Sequence, residues 1–214
     1  AITQKTLKLE GSVTLTLSGT LSMNNGTNAN GNILATGGAS RITGANVSGP
    51  GTANLSVRVN QSADLLTIDG NLTGFSGGLN KNGEGRLVLN GSANGFTGTI
   101  NLNEGEIVLG AGARLGGDGV ATFSPLNLRQ WGVLDLGGNE VGFNAFNGSG
   151  VVTNDAAGAA TMIVGNNAGG GTWSGVFQDG AGVLNVVKVG TAAQNWHGLA
   201  THTGFTRIGG SALV

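Results

Sequence analysis

The sequence predicts an all-β chain built as a parallel β-helix, or β-solenoid, of roughly ten short rungs with glycine-rich turns. Three observations point there: glycine supplies 43 of the 214 residues, apolar residues alternate with small polar ones in very short runs, and turn signals separate those runs. A period of two is that of half-buried strands. No stretch offers an amphipathic helical period over three turns. The nearest, Ala156–Met162, is short and rich in alanine and glycine.

Taken in order, the strand signals are Leu7/Leu9, Val13/Leu15/Leu17, Leu55/Val57/Val59, Leu66/Ile68, Leu87/Leu89, Ile100/Leu102, Ile107/Leu109, Leu126/Leu128 and Leu134/Leu136. Asn25-Gly26, Ser48-Gly49-Pro50-Gly51, Asp69-Gly70, Asn82-Gly83, Asn90-Gly91, Asn147-Gly148 and Asp179-Gly180 punctuate them as turns. A sandwich or barrel would need longer strands and aromatics to fill a broad core. Here aromatics are 5% and tyrosine is absent. A solenoid needs thin rungs, small residues at tight corners and like residues stacked on neighbouring rungs, which suits this chain.

Composition removes several functions. Apolar residues at 39% suffice for a core, while charged residues are 10% and the net charge is −1. No basic stripe exists to neutralise phosphates, so nucleic acid is not an expected partner. No apolar run approaches the length a helix needs to cross a bilayer, so no helical membrane span is expected. The chain opens Ala1-Ile2-Thr3 without methionine, as expected of a mature chain after signal removal or of a fragment.

Internal repetition strengthens the solenoid. Thr97-Gly98 with Leu102, Ile107 and Val108 returns, at one constant offset, as Thr203-Gly204 with Ile208, Leu213 and Val214. Leu79-Asn80-Lys81-Asn82-Gly83 resembles Leu184-Asn185 with Lys188-Val189-Gly190, allowing two inserted residues. The expected organisation is one solenoid domain over 1–214, with weakly matching rungs in 1–65 and two repeat units in 66–214.

Gly78-Leu79-Asn80-Lys81-Asn82-Gly83, Gly85-Arg86-Leu87-Val88-Leu89-Asn90-Gly91, Phe96-Thr97-Gly98-Thr99 and Gly105-Glu106-Ile107-Val108-Leu109 follow one another in order. In this order they resemble the autotransporter-associated β-strand repeat, the passenger-type repeat of bacterial autotransporters. The second copy departs at Gln194-Asn195-Trp196-His197-Gly198. The resemblance implies a right-handed parallel β-helix, exported across the outer membrane to the cell surface or medium. It also implies a stalk, scaffold or adhesive surface rather than an enzyme.

Candidate chemistry is sparse. The carboxylates fall singly along the chain and read as solvated turn residues. His197 and His202 lack partners at catalytic or metal-ligand spacing, and no cofactor is expected. Leu115-Gly116-Gly117-Asp118-Gly119 touches a calcium-binding nonapeptide pattern once, without the tandem copies such a site needs. Trp131, Trp173 and Trp196 are candidate sugar-stacking platforms, with filling of the core as the plainer reading. The ends are candidate assembly surfaces: Leu7, Leu9, Leu15 and Leu17 at one, Ile208, Leu213 and Val214 at the other. An open solenoid exposes a strand edge at each end, and head-to-tail pairing does not close. The expected role is therefore a structural stalk or a self-assembling filament subunit, with itself or the rest of a larger passenger as partner. An adhesin binding a glycan or host surface is the alternative, and a carbohydrate-active enzyme a remote one.

Overall fold

A computed structural model describes residues 2–3, 5–23, 30–116 and 123–210. All strand pairings among them are parallel, and the one helical segment is a single 3-10 turn at Asn166–Ala168. The chain winds as a β-solenoid of about eight turns, close to the ten expected. One row of registered residues runs Leu7, Ile33, Val57, Lys81, Leu102, Leu128, Gly148, Trp173, Trp196. The chain spent per turn varies along this row. It is shortest from Leu128 to Gly148 and longest from Leu7 to Ile33 and from Leu102 to Leu128, which is why the rungs are fewer than expected. At about 4.8 Å per strand the nine layers make a rod about 40 Å long.

The turns have three faces, and among the described residues the third carries only isolated bridges in the turns that hold Arg86–Leu89 and Thr99–Leu109. In the central turns the first face holds Gly78–Asn82, the start of Thr99–Leu109 and the start of Leu126–Asp135. The second holds Arg86–Leu89 and the later halves of those two long strands. The third is Leu21–Ser22, Val47–Gly51 and Leu72–Phe75 at one end, and Glu140–Phe143, Ala159–Val164 and Val183–Lys188 at the other.

Alternation decides which side chains point inward, and stacking turns them into ladders. Leu55, Leu79, Ile100, Leu126 and Phe146 form one on the first face. Leu66, Leu87, Ile107, Leu134, Val152 and Phe177 form another on the second. All are buried. Each buried aliphatic contributes about 1.5–3 kcal/mol of transfer free energy, so the thin core is continuous rather than broad. Towards the later turns aromatics replace aliphatics, with Phe146 stacked on Trp173 at 4.2 Å and Phe177 at 5.4 Å from Trp173.

The corner between the first and second faces explains part of the glycine content. Gly85, Gly105, Gly132, Gly150, Gly175 and Gly198 follow one another there. A Cβ on any of them would lie inside 3.0 Å of backbone oxygen in the preceding turn. Backbone approaches backbone too closely for any side chain, a role only glycine fills. Outward polar rows add lateral ties: Asn101 Nδ2 donates to Asn80 Oδ1 at 3.0 Å, and Asn127 Nδ2 to Asn101 Oδ1 at 2.9 Å.

Candidate functional site

The three tryptophans have three different fates. Trp131 stands at the corner between the first and second faces, within Leu126–Asp135, and is 73% exposed. Trp173 is fully buried between Phe146 and Phe177, so the sugar-platform expectation fails for it: neither ring face is free. Trp196 is half-buried, packs on the core and meets Phe177 edge-on at 5.4 Å.

Around Trp131 the surface is hollowed on both sides. One hollow of about 450 Å³ is lined by Glu84, Glu104, Gly105 and Trp131. The other, about 520 Å³, shares Glu104 and Trp131 and adds Asn103, Arg129, Gln130 and Ser149 among its walls. Several of these polar groups are held in place. Asn103 Nδ2 donates to Asn82 Oδ1 at 3.0 Å and Arg129 Nε to Asn103 Oδ1 at 3.0 Å, while Glu104 Oε2 accepts from the Gly83 N–H at 3.1 Å.

Beneath this corner lies a group to which the sequence reading gave no role. Lys81 occupies an inward position between Val57 and Leu102 and is fully buried. Its Nζ donates to the carbonyls of Asn82 at 3.1 Å, Gly83 at 2.7 Å and Glu104 at 3.1 Å. The stem packs as an apolar side chain while the ammonium ties off carbonyls where the chain turns. Lys188 repeats the device on the third face, donating to Val189 and Gly190. In both, a lysine two residues before a positive-φ glycine reaches that glycine's carbonyl (Gly83 φ 76°, Gly190 φ 71°). That spacing is the signal sequence reasoning could have used. The repeated lysines thus stand on different faces, a third of a turn out of phase.

Burial pushes the Lys81 pKa down to about 8, against the opposing attraction of Glu104. Its folded pKa lies below the unfolded value of 10.5, so the unfolded chain binds more protons between pH 8 and 10.5. The Lys81 contribution to stability is therefore fully present above pH 10.5 and is lost as pH falls through 8. Urea unfolding followed across this window should show stability rising with pH, by at most about 3 kcal/mol from this group. Lys81→Met should remove that component of the slope; an unchanged slope would contradict the assignment. Burial lowers the Lys188 pKa as well.

Stacking also gathers acids that are scattered in sequence. Carboxylate oxygens of Glu106, Asp135 and Asp155 lie within 4.8 Å of one another. Asp135 Oδ1 accepts the N–H groups of Gly137 and Asp155, both at 2.9 Å, and Glu106 pairs with Arg86. These contacts tie the Arg86 turn to the Glu106 turn and the Asp135 turn to the Asp155 turn. His202 Nε2 lies 3.0 Å from Thr206 Oγ1, and His197 is exposed on the last turn. Asp118, of the calcium-pattern expectation, lies outside the described residues.

At the ends, Leu9 and Leu17 are buried while Leu7 and Leu15 pack half-buried against the core. Among the described residues, Thr6–Glu10 and Thr14–Thr16 each pair a strand on one side only. At the other end Gln194–Trp196, Leu199–Ala200 and Thr206–Ile208 are likewise edges, and Leu199, Phe205 and Ile208 are half exposed or more. Leu213 and Val214 lie outside the described residues.

Comparison with known proteins adds one match. Residues 79–109 fit the family model of the passenger-associated-transport-repeat. No curated protein and no solved structure is significantly similar to the chain. The matched stretch begins two residues before Lys81 and ends at Leu109, so it spans the lysine-capped corner and two strands on each of the first two faces. No helix among the described residues is long and apolar enough to cross a membrane. Such repeats occur in secreted or surface passengers, and residues 79–109, which are similar to one, lie within a parallel β-solenoid.

Proposed function

We propose that the protein is a structural rod in a secreted passenger, a stalk whose two ends accept further rungs and which assembles end to end with copies of itself. What supports this reading is the continuous parallel β-solenoid, in which each turn contacts only its neighbours, together with the passenger-associated-transport-repeat match at residues 79–109. Unpaired N–H and C=O groups template another strand, and natural sheets cover, charge or shorten such edges. The late strands are only two or three residues long, and beside them Leu199, Phe205 and Ile208 are 60%, 54% and 50% exposed. Among the described residues the early edge consists of Thr6–Glu10 and Thr14–Thr16 above the same core. A contact between unlike ends repeats without closing and makes a linear array.

Sedimentation velocity and negative-stain microscopy across a concentration series test this. The expected result is linear oligomers one rod wide at high concentration, and monomers for Ile208→Lys combined with Leu199→Lys. Both side chains are exposed, so the monomer should keep its circular dichroism. A wild-type protein that stays monomeric throughout the series would overturn the assembly reading.

A further inference from the structure

We propose that the corner at Trp131 is a binding site for a neutral pyranose oligosaccharide, a lateral function beyond the structural role of the rod. Among the described residues, the other large exposed apolar side chains sit at the ends: Val13 in the first turn, Val183, Leu199, Phe205 and Ile208 in the last two. Rungs stacked on the ends would cover most of those. Trp131 lies in mid-rod, on the Leu126–Asp135 strand that is paired on both sides, and end-to-end stacking does not reach it.

Its surroundings select the ligand. The walls here are carboxylates, amides and a guanidinium around one exposed indole, not the large contiguous apolar patch that marks many protein interfaces. A pyranose combines an apolar C–H face, which stacks on an indole, with a rim of hydroxyls that need both donors and acceptors. Glu84 and Glu104 supply acceptors on one side, and Arg129 and Gln130 supply donors on the other. The Asn82–Asn103–Arg129 ladder and the Gly83 N–H fix Arg129 and Glu104 before any ligand arrives, which lowers the ordering cost of binding. The two hollows share Trp131 and Glu104, and each lies within the range of about 300–1,000 Å³ typical of small-molecule sites. A chain of sugars crossing the corner would lie over the indole and reach both.

The test is a titration of the intact protein with hexasaccharides of β-glucan, α-glucan, mannan and chitin, read by intrinsic fluorescence and calorimetry. At least one is expected to bind and to shift the Trp131 emission. Trp131→Ala should weaken it at least ten-fold and Glu84→Gln several-fold, with circular dichroism and thermal unfolding unchanged, since both side chains are exposed. Trp131→Phe, which keeps a ring, should recover part of the affinity. Failure of all four sugars to bind at millimolar concentration would overturn the proposal. So would equal affinity of the Trp131→Ala protein.

Discussion

Trp173→Ala is expected to destabilise the protein by about 3–5 kcal/mol, the range for truncating a large buried aromatic. The indole is fully buried, stacked on Phe146 at 4.2 Å and tilted against Phe177 at 5.4 Å. The site has little freedom to collapse, because backbone ladders to Gly148 and Trp196 hold the turns on either side at fixed spacing. The loss should be regional. Turns of a solenoid contact only their neighbours, so hydrogen exchange should accelerate over residues 146–200 and change little over 55–109. Trp173→Phe provides the control. It keeps a ring in the stack and removes an indole N–H that has no hydrogen-bond partner among the described residues, so it should cost at least 1.5 kcal/mol less, roughly, than alanine. Urea unfolding by far-ultraviolet circular dichroism measures both. A Trp173→Ala protein within about 0.5 kcal/mol of wild type would show that the aromatic stack is not what holds the late turns.

Adding a side chain to the glycine corner should be comparably severe. Gly150→Ala places a Cβ inside 3.0 Å of the carbonyl oxygens of Gly132 and Arg129 and against the Leu128 side chain. None of these can retreat without opening the ladder between Leu126–Asp135 and the next turn. Overpacking of this kind costs about 1–3 kcal/mol, and Gly150→Val should exceed it. The comparison is Gly95→Ala, where a Cβ meets nothing within 4 Å and φ lies outside the left-handed region. There the substitution should be neutral, or stabilising by up to about 1 kcal/mol through the unfolded chain. Equal effects at Gly150 and Gly95 would mean that the corner glycines are compositional rather than steric.

Much of the fold was legible because its signals are local. In a strand the side of a residue follows from parity, so Leu87 and Leu89, or Ile107 and Leu109, announce an inward row wherever the strand lies. Glycine two residues before each such pair, as at Gly85 and Gly105, marked the corner. The candidate sites were less legible. Trp131 and Trp173 carry the same side chain in similar glycine-flanked settings, yet one is 73% exposed and the other fully buried. The carboxylates of Glu106, Asp135 and Asp155 gave no sign of meeting, since each belongs to a different turn and long stretches of chain lie between them. Lys81 and Lys188 were visible as a repeated motif, but nothing local told that their ammonium groups would lie inside.

The amino-acid sequence by itself determined the parallel solenoid: short alternating strands, small corner residues and an ordered passenger-type repeat. Tertiary structure decided which turn lies over which. Parity is fixed within a strand, whereas the length of chain per turn changes along a single row, and the corners absorb the difference. That variable count sets the register, and register alone buries Trp173, leaves Trp131 at a hollowed corner and stacks three distant acids together.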